Sequence, residues 1–156
     1  MPKQPDLEIV GDGPTGSTIL TLDKNGVLFA TGSRYLHNLV AITSELLAAS
    51  LDKHIWICRE GVWQVVSVQE IHSVAGTDAG AVTLDVKTTS GVTAPASGTT
   101  QLTGTINLKA TANTLQNGTL IAAPTKMFPG DTLALDFTGT LTAVVGLCTV
   151  HIARVG

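Results

Sequence analysis

The sequence predicts an all-β protein: an antiparallel β-sandwich, jelly-roll-like, preceded by an extended N-terminal arm. Three observations lead there. From residue 53 onward, apolar and polar residues alternate with period two in one segment after another, as with Val82, Leu84 and Val86 against Thr83, Asp85 and Lys87. Turn signals such as "REG", "SGV" and "PGD" separate these segments at short intervals. No stretch of helical period follows residue 52, so the crossovers that a parallel sheet requires are missing.

The chain has 156 residues, which suits one domain with an arm: residues 1–16 as the arm and 17–156 as the sandwich. Charged residues make up 13% of it, against about 25% in an average globular protein. So weakly charged a surface implies that much of it is covered by partners or by copies of the chain. Lys and Arg are scattered singly and the net charge is −3, which argues against a nucleic-acid partner. No apolar run approaches the ~18 residues of a membrane span. The opening "MPKQPDLEIVGDG" has no apolar signal-peptide core, so synthesis in a cytoplasm is expected, with any exit by assembly into a particle. The first 23 residues carry Asp6, Glu8, Asp12 and Asp23 against Lys3, an acidic stretch that either meets a basic partner or stays solvated.

In chain order, Pro2, Pro5 and Pro14 with Gly11, Gly13 and Gly16 deny residues 1–16 both helix and regular ladder. "STILTLDKNGVLFATG" follows as a hairpin turning at Asn25-Gly26, where positive φ costs little. Residues 36–48 are ambiguous. Leu36, Leu39, Val40, Thr43, Leu46 and Leu47 fit a helical stripe, but β-branched Val40, Ile42 and Thr43 and the missing cap fit strands equally well. "HIWIC", "VWQVVSVQEIHSV", "AVTLDVKT", "GTINLKAT", "NGTLIAA", "TLALDFTG" and the final "TAVVGLCTVHIARV" read as strands, with "SGVTAPASGTTQ" as a loop. Cys58 and Cys148 sit in apolar runs and read as buried free thiols.

The candidate sites are weak. His72, Ser73 and Asp78 are the residue types of a nucleophilic triad, but neighbours on a strand face opposite ways and Asp78 suits a turn. "GDGPTGST" has P-loop glycine spacing without the lysine that reaches the phosphates. His54 and Cys58 lie ~13 Å apart on a strand, too far to share zinc. Asp78 and Asp131 belong to separate loops, which does not make a calcium site. Asp85 and Asp136 would have to converge across strands to serve as a glycosidase pair. No catalytic residue, metal ligand or cofactor is therefore expected. Trp56 and Trp63 flank one hairpin and are the alternative candidates for a glycan platform, with core or interface packing as the plainer role.

"QVVSVQEIHSVAGTDAGAVTLDV", "TINLKATANTLQNGTL" and "PGDTLALDFTGTLTAVVGLCTVHI" together resemble a recurrent β-sandwich of tailed-bacteriophage virion proteins, over residues 62–156. The resemblance implies a non-enzymatic structural protein, most like a head decoration (cement) protein. Its implied partners are the major capsid protein and further copies of itself in a homotrimer, on the outer surface of the capsid. A capsid fibre or tail-associated module that recognises host glycan is the alternative. On the decoration reading the arm adds a strand to a capsid subunit's edge, with Leu7 and Ile9 as apolar anchors and Asp12 beside them.

Overall fold

The computed structural model describes residues 7–11, 18–22, 28–31, 39–48 and 50–155. The chain divides into two compact units, Met1–His37 and Asn38–Gly156.

The first unit holds β1 (Leu7–Gly11), β2 (Thr18–Leu22) and β3 (Leu28–Thr31) in an antiparallel sheet with β2 in the middle. Leu22 pairs with Leu28, so β2 and β3 form the hairpin expected around Asn25-Gly26. Of residues 1–16, expected as an extended arm without a regular ladder, Leu7–Gly11 form β1 and pair with β2.

The second unit is all β apart from one 3-10 turn at Pro95–Ser97. Its strands are β4 (Leu39–Leu47), β5 (Lys53–Ile57), β6 (Trp63–Val74), β7 (Thr83–Thr89), β8 (Thr99–Thr100), β9 (Ile106–Asn107), β10 (Gln116–Gly118), β11 (Lys126–Met127), β12 (Thr132–Thr138) and β13 (Val145–Arg154). One sheet runs β10-β6-β13-β4, with β11 also on β6. The other runs β5-β12-β7-β8, with β9 also on β7. Every pairing is antiparallel. The predicted sandwich is thus observed. The ambiguous stretch is strand over Leu39–Leu47, not helix. Nine consecutive register pairs with β13 satisfy its backbone, and its β-branched residues suit a pleated surface.

Both sheets close over one apolar core. Val65, Val68, Cys148, Val150 and Ile152 come from the first sheet, and Leu84, Val86, Leu133 and Leu135 from the second. The alternation read in "AVTLDVKT" holds: Val82, Leu84 and Val86 are fully buried. In β6 the parity changes partway. Ser67 and Val65 oppose the consecutive residues His151 and Ile152, which leaves Val66 as a bulge. Trp63 and Val65 face inward before the bulge, and Val68, Glu70 and His72 after it. That one extra residue directs a glutamate and a histidine into the core.

Polar chain inside the sandwich is anchored by Gln101, which is fully buried. Its amide donates to the Thr99 carbonyl (2.8 Å) and the Thr88 hydroxyl (3.1 Å), and its oxygen accepts from the Thr125 N–H (2.8 Å). The long connection between β7 and β12 is thereby pinned to β7.

Candidate functional site

The triad residue types do not assemble. His72 is buried, whereas Ser73 is exposed and donates to the Val145 carbonyl at 3.2 Å. Asp78 organises its own turn, accepting from the N–H groups of Ala79 (3.0 Å) and Thr140 (3.2 Å). Strand parity had separated His72 from Ser73 at the outset.

The true neighbour of His72 is Glu70, a residue that sequence reasoning missed. His72 Nδ1 lies 2.9 Å from Glu70 Oε1, and Nε2 lies 2.9 Å from the Ala110 carbonyl. The other Glu70 oxygen accepts from the Gln116 amide at 2.6 Å. A carbonyl only accepts, so Nε2 carries a hydrogen, and a further proton lies between Nδ1 and Oε1. A signal existed: residues i and i+2 on a strand share a face, and Val68 already marked that face as core. The pair is enclosed, which suits a structural role.

Asp85 and Asp136 do come together, as register partners on β7 and β12. Each is already engaged. Asp85 accepts from the Thr100 hydroxyl (2.7 Å) and the Val86 N–H (2.8 Å), while Asp136 pairs with Lys87 Nζ at 2.6 Å. Burial pushes the Asp85 carboxyl above its ordinary range, against the Thr100 and Val86 bonds that favour its charge. Asp131 closes the turn before β12, accepting from the Phe128 N–H at 2.7 Å. Among the described residues no three His, Cys, Asp or Glu gather as a metal site. Among the same residues no helix is long and apolar enough to cross a membrane.

Trp56 and Trp63 meet edge to face, with centroids 5.7 Å apart and planes at 69°. Trp63 belongs to the core and donates its indole N–H to the Glu60 carbonyl at 2.8 Å. Trp56 is half-buried beside Ile57, Arg59 and Glu60 on a shallow cavity of about 350 Å³. Leu7 and Ile9 lie on β1 opposite Leu22 and Leu20, and Asp12 lies outside the described residues. Cys58 and Cys148 are both buried and free. Burial, with the Glu70 charge adding to it, pushes the Cys148 thiol up to about 12.

Another open feature is apolar. On the outer face of the first sheet, Leu147 stands between Ile71 and Glu45, and Val145 between Val74 and Leu47. Leu47, Ile71, Val74, Val145 and Leu147 are 39–49% exposed, and most of them line a shallow cavity of about 350 Å³. Beside this face runs β4, with β13 on one side and no described strand on the other. Part of that edge is closed. Lys53 Nζ donates to the Glu45 carbonyl (2.8 Å), and Ser50 bonds both the N–H (3.0 Å) and the carbonyl (2.8 Å) of Leu47. Main-chain groups alternate along a strand, so Leu39, Ala41 and Thr43 present theirs to the same edge.

No protein-family model matches the chain, and no curated protein does. Among solved structures, the chain is similar to one in the capsid asymmetric unit of cyanophage Pam1, at 13% identity and a TM-score of 0.49, covering 86% of this chain and 96% of that one. It is similar also to a chain from the endospore appendages of Bacillus, described as disulfide-linked pili (16% identity, TM-score 0.30, 82% and 98% covered). A third likeness is to a chain of infectious bursal disease virus, Gt strain (12% identity, TM-score 0.25, 88% and 48% covered).

Proposed function

We propose that the chain is a non-enzymatic structural protein of a phage virion, which decorates the outer surface of the capsid and cements it by bridging major capsid subunits. The observation that carries this reading is the open apolar face of Leu47, Ile71, Val145 and Leu147 beside a partly unpaired strand edge. Apolar groups at this density on one sheet face favour a protein surface over water. The residue types that suggested catalysis are held in structural bonds instead.

Bridging requires two surfaces, and the chain has two compact units to supply them. In this reading the first unit, with Leu7, Ile9 and Asp12, contacts the capsid. The apolar face of the second joins copies into a homotrimer. Three modest capsid contacts on one symmetric body then act together.

The test is co-sedimentation of the full chain with empty capsids, alongside its solution mass by light scattering. A trimer that pellets with capsids, and a Leu7→Asp/Ile9→Asp variant that remains trimeric but stays in the supernatant, are the expected results. A monomer that ignores capsids would overturn the proposal.

A further inference from the structure

One half of β4 is closed and the other is open. The edge-facing main-chain groups of Glu45 and Leu47 are taken by Lys53 Nζ and Ser50. Toward the other end, Leu39, Ala41 and Thr43 point theirs at the same edge, where no described strand lies. All three are exposed, Leu39 at 58%. Proteins blunt free edges with charges, prolines or bulges. Residues 38–44, "NLVAITS", have no charge, no proline and no glycine, and their register with β13 is unbroken. The inward side of this half is also uncovered. Val40 remains 36% exposed there, next on that face to Ile42, which packs against the core.

The closed half limits what can pair with the open one. A second β4, antiparallel and related by a two-fold axis at Ala41, fits without moving Lys53 or Ser50 in either copy. Ala41 then faces Ala41 of the second copy, and Leu39 faces Thr43 on both sides of the axis. These three pairs exchange about six main-chain hydrogen bonds, two for each pair. Between them Val40 faces Ile42, one β-branched side chain against another, which is a favourable cross-strand pair. No charged residue opposes another over this stretch. A slip of two residues one way sets Leu39 against Glu45, whose carbonyl Lys53 already holds. A slip the other way leaves Thr43 with no partner among the three open residues.

We infer that β4 pairs with β4 of a second copy, antiparallel about Ala41, so that the first sheets of two copies join edge to edge. The contact is separate from the apolar face and holds with or without capsid binding. Five residues from each copy bury less than the ~1,200 Å² of a standard interface, so the pairing is weak and operates where copies are concentrated.

Disulfide trapping of the full chain reads the register directly. Cysteine variants are oxidised at sub-millimolar concentration and resolved by non-reducing gel electrophoresis. Cys58 and Cys148 are buried, so the parent should give no cross-link. Opposed residues of a hydrogen-bonded pair lie about 5.5 Å apart at Cα, within reach of a disulfide. Two copies of Thr43 would lie about 14 Å apart along the paired strands, beyond that reach. Ala41→Cys is therefore expected to form a dimer about tenfold faster than Thr43→Cys. An equal mixture of Leu39→Cys and Thr43→Cys should favour the mixed dimer over both self-dimers. If Ala41→Cys fails to fold, the mixture decides. Equal rates for Ala41→Cys and Thr43→Cys, or a mixture that cross-links at random or not at all, overturn the inference.

Discussion

Glu70 Oε1 lies 2.9 Å from His72 Nδ1, and both side chains are wholly buried in the sandwich. They stand two residues apart on one strand, held by Gln116 on the neighbouring strand β10 and by the Ala110 carbonyl. Removing one member leaves the other buried with an unsatisfied polar group. Glu70→Ala is expected to cost about 3–5 kcal/mol. Replacing both with leucine is expected to cost much less than the two single losses together. Urea unfolding of the two single variants and the double one measures this, and strictly additive costs would show that the two residues do not act as a pair.

Asp85 gives the fold a pH dependence of defined sign. Burial raises its folded pKa above the unfolded value, so the folded state holds this proton more tightly. The stability it contributes is present in acid and is lost as pH rises from the ordinary aspartate value through the raised one. Asp85→Asn keeps the oxygen that accepts from Thr100 and Val86. This variant should match the parent in acid and become the more stable of the two toward neutral pH. Denaturant midpoints of both proteins across that range test it, and a gap that narrows with rising pH would contradict it.

Cys148 should be chemically silent in the native protein. Its thiol is fully buried and pushed up to about 12, so almost no thiolate exists at neutral pH. A maleimide followed by mass spectrometry is expected to leave Cys148 unmodified until denaturant is added. Native labelling at the rate of a free thiol would mean that β13 opens far more often than its central place in the sheet implies.

Leu147 is 44% exposed at the middle of the apolar face. Leu147→Lys should leave thermal stability within about 0.5 kcal/mol of the parent, as surface changes do. It should also lower the solution mass, because a lysine charge does not enter an apolar contact. Unchanged mass on light scattering would remove this face from any role in self-association.

Gly139 has φ of +82°, and a Cβ there would run into the Ala81 carbonyl. Gly139→Ala combines left-handed strain with a backbone clash. A loss of at least about 2 kcal/mol is expected in thermal or urea unfolding. Gly104→Ala, where nothing stands nearby, serves as the comparison and should be close to neutral.

The sequence by itself determined the all-β class and most of the inward-facing residues. Alternation at Val82, Leu84 and Val86 and at Leu133 and Leu135 follows from the two-residue repeat of a strand, which needs no knowledge of partners. The same repeat separated His72 from Ser73 and so removed the triad. Tertiary structure alone decided the rest. Residues 39–47 became strand because β13 offered an edge, and propensity there was balanced. The bulge at Val66 shifted the parity of β6, and only the register against β13 reveals it. The cleft between Thr103–Asn107 and Gln116–Thr119 joins segments that hang on different sheets, with β9 on β7 and β10 on β6. Local sequence carries periodicity, while register and the meeting of distant strands are set by pairing and packing across the whole sandwich.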